Sequence, residues 1–107
     1  MVNKVILVGN VGNEPETTSF DSGSAVTKFS LATSYKTKDG DHTDWHSISC
    51  WGKLSEVAKE HIKKGAKMYI EGNLTYDSWE DKSSGKQMKK AVVNALSVQF
   101  LTPKGEQ

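Results

Sequence analysis

Apolar and polar residues alternate with a period of two along most of this chain, which predicts strands rather than helices. Residues 5–8, Val-Ile-Leu-Val, depart from the alternation: a continuous apolar run ended by Gly9-Asn10, the pattern of a strand buried on both faces. Val11-Gly12-Asn13-Glu14-Pro15 breaks the chain, a short strand follows near 17–20, and Asp21-Ser22-Gly23 turns it again. Residues 25–35 read as a strand with Thr27, Phe29, Leu31 and Thr33 on one face, and 36–41 as a polar loop containing a hairpin-like Asp39-Gly40. After a strand at 44–51 the period changes: Leu54, Val57, Ala58 and Ile62 share one face of a helix over 54–64. Lys63 and Lys64 would sit in its last turn, with Gly65 as the stop. A long strand over 67–79 carries Gly72 as a bend or bulge, Ser83-Ser84-Gly85 turns, and 89–101 forms the last strand.

This order predicts an all-β protein: a five-stranded OB-fold, a Greek-key barrel with one helix between the third and fourth long strands. Another small barrel or sandwich with a covering helix is the second possibility. Parallel βαβ units do not fit, because only one connection is long enough to hold a helix. The barrel domain is expected to span residues 1–102, followed by a short polar tail at 103–107.

Parity within the strands singles out the aromatic residues. On 44–51, His46, Ile48 and Cys50 share the face expected to point inward, which leaves Trp45, Ser47, Ser49 and Trp51 on the outer face. On 67–79, Met68, Ile70, Leu74 and Tyr76 share one face, and Tyr69, Glu71, Asn73, Thr75, Asp77 and Trp79 the other. All three tryptophans of the chain therefore fall among polar neighbours. Such rings could cover the barrel or fill an oligomer interface. They could also form a platform on which successive bases stack, at roughly 1–3 kcal/mol per base and without sequence preference. Tyr35, beside Lys36 and Lys38 at the mouth of the polar loop, is a fourth candidate ring.

Charge does not announce a nucleic-acid binder, since 14 basic and 13 acidic residues leave a formal net charge of +1. Every basic residue is a lysine, so no guanidinium fork is present to read base edges. The 107 residues suit a single domain, no stretch is apolar enough for a membrane span, and the N-terminal apolar run is too short for a secretory signal. The single cysteine, Cys50, excludes an internal disulfide and fits a reducing cytoplasm. His46 and Cys50 are four residues apart on an extended strand, roughly 13 Å, too far for a thiol–imidazole pair. His42, His46 and His61 lack zinc-site spacing, and Gly9 and Gly12 do not complete a dinucleotide fingerprint. No enzyme activity, metal or cofactor is expected.

Five ordered segments, spread over nearly the whole chain, resemble bacterial single-stranded DNA-binding proteins. They are Val2-Asn3-Lys4-Val5-Ile6-Leu7-Val8-Gly9-Asn10-Val11-Gly12 with Glu14-Pro15-Glu16, then Phe29-Ser30-Leu31-Ala32-Thr33-Ser34 and Thr43-Asp44-Trp45-His46. Trp51-Gly52-Lys53-Leu54-Ser55-Glu56-Val57-Ala58 follows, and last Lys63-Lys64-Gly65-Ala66-Lys67-Met68-Tyr69-Ile70-Glu71-Gly72. The resemblance implies an OB-fold homotetramer that wraps single-stranded DNA, independent of sequence, in replication, recombination and repair. It places base stacking on Trp45, Trp51 and Trp79, the rings that parity singles out. It makes Lys36, Lys38, Lys53 and Lys64 the lysines nearest those rings, candidates for phosphates, and Lys4, Val5, Ile6, Leu7 and Val8 an oligomer-forming strand. The implied location is the cytoplasm, with the nucleoid. An OB-fold primosome or RNA-binding module is the alternative. Two departures stand out. Thr75, Asp77 and Ser78 occupy positions that are often basic in the family. The chain stops at Thr102-Pro103-Lys104-Gly105-Glu106-Gln107, where the family usually continues to an acidic tip that recruits enzymes. The expectation is therefore a DNA-binding core without that recruitment.

Overall fold

Residues 1–101 are described by a computed structural model. They form strands β1 (Val5–Val11), β2 (Glu16–Ser19), β3 (Ala25–Thr37) and β4 (Gly40–Trp51), helix α1 (Lys53–His61), then strands β5 (Lys67–Glu80) and β6 (Gln87–Phe100). The expected tail at 103–107 lies outside the described residues. The five long strands run in the order β1-β5-β6-β4-β3, and β1 closes the barrel by pairing Asn10 with Ala32 and Val11 with Leu31 on β3. Neighbours are antiparallel except β4 and β6, which pair in parallel at Ile48–Val93 and Ser49–Asn94. This is the five-stranded barrel that the element order predicts, with α1 between its third and fourth long strands.

Short β2 extends β1 along β3: Val11 faces Leu31, and pairing resumes with Glu16 opposite Lys28. Pro15, which has no N–H, lies in the gap. Side chain and turn repair the ladder there, with Gly12 N–H donating to Ser30 O at 2.8 Å and Asn13 Oδ1 accepting Ser30 N–H at 2.8 Å. The bulge expected at Gly72 falls opposite it: the extra residue is Leu96 on β6, and Gly72 gives the close approach that the irregularity needs. The β5–β6 register slips between Glu71 and Gly72, and a Cβ on Gly72 would fall 2.0 Å from Asn94 O.

Leu31, Ile48, Cys50, Met68, Ile70 and Val93 fill the barrel, and α1 closes its end with Ala58 while Ile62 follows just beyond it. Ser55, buried with them, meets Thr27: Thr27 Oγ1 donates to Ser55 O at 3.0 Å, so the hydroxyls of Ser55 and Thr17, both 2.7 Å away, donate to it.

The structure corrects four local expectations. The 5–8 run is one-sided: Val5 and Leu7 pack on the core, whereas Ile6 and Val8 are exposed, because only one face of a barrel wall meets the interior. The helix ends at His61 rather than at 64. Ile62 turns extended to reach the core, which frees Gly65 N–H to donate to Val11 O at 2.8 Å while Ala66 O accepts Val11 N–H at 2.9 Å. The 36–41 loop is mostly ladder, with strands paired up to Thr37 opposite Gly40 across the turn at 38–39. Tyr76 does not enter the core. Its parity is inward, but the β5–β6 hairpin has outrun the barrel by that point and the ring is exposed.

Candidate nucleic-acid interface

The outward parity of β4 sets Trp45, Ser47, Ser49 and Trp51 along one face, and cross-strand pairing widens it into a polar floor. Lys28 on β3 lies opposite Ser49, Ser49 sits beside Asn94 on β6, and Asn94 lies opposite Asn73 on β5. An open groove of about 460 Å³ runs over this row, walled by Trp51, Thr75, Asp77 and Val92. A hollow of about 140 Å³ adjoins it, sharing Lys28, Ser49, Asp77 and Val92 and reaching Asn13, Ser30, Ser47 and Lys90. The lining is mainly neutral and polar, with two lysines, Lys28 and Lys90, and two acidic residues, Asp77 and, in the hollow, Glu16.

The three tryptophans are open to solvent, Trp45 at 63%, Trp51 at 48% and Trp79 at 46%. Exposure of that size is unusual for so large an apolar ring. Trp51 lines the groove. Trp45 is six residues away on the same face of β4, about 20 Å at the rise of an extended strand. Its ring lies over the β1–β2 break, and a Cβ on Gly12 would be 2.2 Å from ring carbon Cζ3, so glycine there makes room for the indole.

The remaining expected residues are distributed over projecting elements rather than gathered in the groove. Tyr35 sits exposed on the β3–β4 hairpin, its ring stacked on that of His42 with centroids 5.5 Å apart and planes 14° from parallel. Lys36 and Lys38 are on the same hairpin, at the Asp41 pair and in the turn. Trp79 rides the β5–β6 hairpin opposite Met88. The tip of that hairpin is fixed by Asp81, whose carboxylate accepts Ser83 N–H at 3.0 Å and the hydroxyls of Ser83 and Ser84 at 2.9 and 3.1 Å. Those bonds, the Ser83 N–H foremost, hold the Asp81 carboxyl below its ordinary pKa. Lys53 opens α1, exposed, two residues beyond Trp51. Lys64 lies in the turn before β5, where its backbone N–H donates to Glu14 Oε1 at 3.3 Å.

Several interface residues lie outside the expected set. Lys28 is one that parity could have found, since it shares the outward face of β3 with Ser30. Asn73 meets Asn94 only through the β5–β6 register, Asn94 meets Ser49 only through the parallel β4–β6 pair, and Lys90, opposite Asp77, lines the adjoining hollow. Lys89 places its ammonium 5.7 Å from the centroid of Tyr76. Phe20 stacks on Trp51 from a turn with no alternation to reveal it.

His46 Nε2 is hydrogen-bonded to Thr33 Oγ1 at 2.8 Å, and burial pushes the Cys50 thiol up to about 12, so the thiol is neutral and inert at physiological pH. Among the described residues no group of histidine, cysteine and acidic side chains is placed to hold a metal ion. No helix among them is long and apolar enough to cross a membrane.

Comparison with known proteins supplies the lineage. Residues 2–101 match the family described as the single-strand binding protein family. A single-stranded DNA-binding protein of Xanthomonas axonopodis pv. citri is 41% identical, the match covering 98% of this chain and 61% of that protein. Single-stranded DNA-binding protein 1 of Chlorobaculum tepidum is 39% identical over 96% of this chain and 67% of its own length. A protein of the same description from Synechocystis is 38% identical over 96% of this chain and 86% of its own. The chain thus spans about 61–67% of the first two relatives. Among solved structures, a Plasmodium falciparum SSB complex with ssDNA superposes with a TM-score of 0.83 at 26% identity, covering 94% of this chain and 96% of that one. With a family match over nearly its full length and relatives near 40% identity, this chain belongs to the single-strand binding protein family.

Proposed function

We propose that this chain binds single-stranded DNA irrespective of sequence and shields strands exposed in replication, recombination and repair. Residues 1–102 are its binding domain. Bases stack on Trp45, Trp51, Trp79 and Tyr35, and the backbone is met by Lys36, Lys38, Lys53 and Lys64, with Lys28 and Lys90 added from the groove and its adjoining hollow. The observation that carries the reading is the solvent exposure of three tryptophans on strands and hairpins, one of them lining a polar groove, in a chain of net charge +1. A nearly neutral, arginine-free protein gains little from phosphate neutralisation alone, whereas each stacked base contributes roughly 1–3 kcal/mol. The names of its relatives and the DNA in the Plasmodium falciparum complex support the same reading.

Binding here involves no bond making, so the protein acts as a non-catalytic coat. It works as a homotetramer in the cytoplasm, on the nucleoid, assembled through the strand edge of Lys4, Val5, Ile6, Leu7 and Val8. Intrinsic tryptophan fluorescence, titrated with oligo(dT), tests the platform. Strong quenching is expected, with little from duplex DNA of equal length, because paired bases offer the rings no free face. Equal quenching by duplex overturns the reading.

A further inference from the structure

Phe20 lies just past β2, in the turn that leads to β3, and its ring stacks on Trp51 with centroids 5.9 Å apart and planes 17° from parallel. The turn is tied on both sides: Phe20 N–H donates to Ser24 O at 2.8 Å, and Phe20 O accepts Gly23 N–H at 2.9 Å. Trp51 follows from the opposite direction, at the last position of β4, where Gly52 N–H donates to Ala25 O at 3.3 Å. Two separately anchored backbone segments thus present their rings to each other. Phe20 is 47% exposed, too open to be a core residue. Trp51 lines the groove and Phe20 does not, so the ring stacked on the indole stands outside the groove itself. A tryptophan at a strand end, unsupported, would sample several rotamers and lose that freedom when a base docks.

We infer that Phe20 is a positioning residue of the DNA interface: it holds the Trp51 ring in the plane that receives a base, and takes no base itself. This rests on the reading of Trp51 as a stacking ring, and the test separates the two. Oligo(dT) affinity is measured for the full chain and for Phe20→Ala, Phe20→Tyr, Trp51→Ala and the Phe20→Ala/Trp51→Ala double variant. Immobilising a side chain on association costs about 0.5–1.5 kcal/mol, a cost that Phe20 meets in advance, so Phe20→Ala should weaken binding about two- to tenfold. Phe20→Tyr, which keeps the ring, should bind like the parent. On the Trp51→Ala background, Phe20→Ala should cost nothing further, because there is no ring left to position. A spectroscopic arm uses a chain with Trp45→Phe and Trp79→Phe, so that Trp51 alone emits. There Phe20→Ala should lower the fluorescence anisotropy of Trp51 and raise its quenching by iodide. If Trp51→Ala weakens binding while Phe20→Ala matches the parent, positioning is overturned and the platform stands. If the Phe20→Ala loss persists in full without Trp51, Phe20 meets DNA directly and positioning is again overturned. Parental affinity in Trp51→Ala would instead sink the platform itself.

Discussion

Alternation along β4 divides its residues between two environments, and their chemistry follows. Ile48 and Cys50 enter the core, while Trp45 and Trp51 remain in solvent. For Cys50, desolvation of the thiolate raises the thiol from an ordinary value of 9.0 to about 12. The unfolded chain therefore loses this proton near pH 9 while the folded chain retains it, so stability falls as pH rises through that window. The slope approaches about 1.4 kcal/mol per pH unit for one such group. Cys50→Ala should remove this dependence. Urea denaturation of the two proteins from pH 7 to 10.5 should show a stability gap that is constant up to about pH 8.5 and narrows above it. A gap that stays constant throughout contradicts the burial argument. Residue-scale placement of this kind is legible in sequence, because a period of two is a property of the extended backbone itself. It fails at Tyr76, whose inward parity is of no consequence once the hairpin leaves the barrel, and at Phe20, which sits in a turn. Ile6 and Val8 mislead in a third way, since an apolar surface and a core have the same composition.

At the scale of elements, the two hairpins that outrun the barrel carry much of the candidate site, and their charge can be separated from their rings. The β3–β4 hairpin holds Tyr35, Lys36 and Lys38 near its tip, whereas the groove is lined at the barrel end of the same two strands by Lys28, Ser49 and Trp51, together with β5 and β6. On single strands log affinity falls with log salt by about 0.7 for each phosphate neutralised, and stacking adds no such slope. Replacing Lys36 and Lys38 together by Gln should therefore make the slope shallower by up to about 1.4. Trp45→Ala should weaken oligo(dT) binding by roughly 1–3 kcal/mol and leave the slope nearly unchanged. One salt series of fluorescence titrations reads both, and the assignment of roles fails if the lysine variant leaves the slope untouched. Element order, the irregularity at Gly72 and the position of α1 were all legible, because each depends on local pattern. The end of α1 was not: Lys63, Lys64 and Gly65 imitate a C-terminal stop, but the core's demand for Ile62 draws the chain out earlier. The groove floor was not legible either, since Asn94 reaches Ser49 only through the parallel β4–β6 pair.

The whole molecule leaves one part of its wall unfinished. β1 pairs with β5 from Val5 onward, but with β3 only at Asn10 and Val11, so among the described residues its other edge is open along 5–8. Ile6 and Val8 project exposed from that strand, beside Glu71 and Tyr69 on β5. Lys4 and the Tyr69 hydroxyl converge on Glu71, at 3.6 and 2.8 Å, giving the apolar patch a polar rim. An open strand edge invites pairing, and two copies meeting across a two-fold axis continue each other's sheets. In the proposed assembly such a union would bring two sets of Ile6 and Val8 onto one broad outer face, which pairing through the edge would not cover. A second such dimer laid against it would bury both faces and close the proposed assembly at four chains. Light scattering should accordingly report about four chains per particle at micromolar concentration. Val8→Glu, which puts a carboxylate on the outer face and leaves the barrel core intact, should reduce the particle to two chains or one. Its far-ultraviolet circular dichroism should remain that of the parent, which separates loss of assembly from loss of fold. A parent protein that runs as a clean monomer overturns this account of the exposed β1 face.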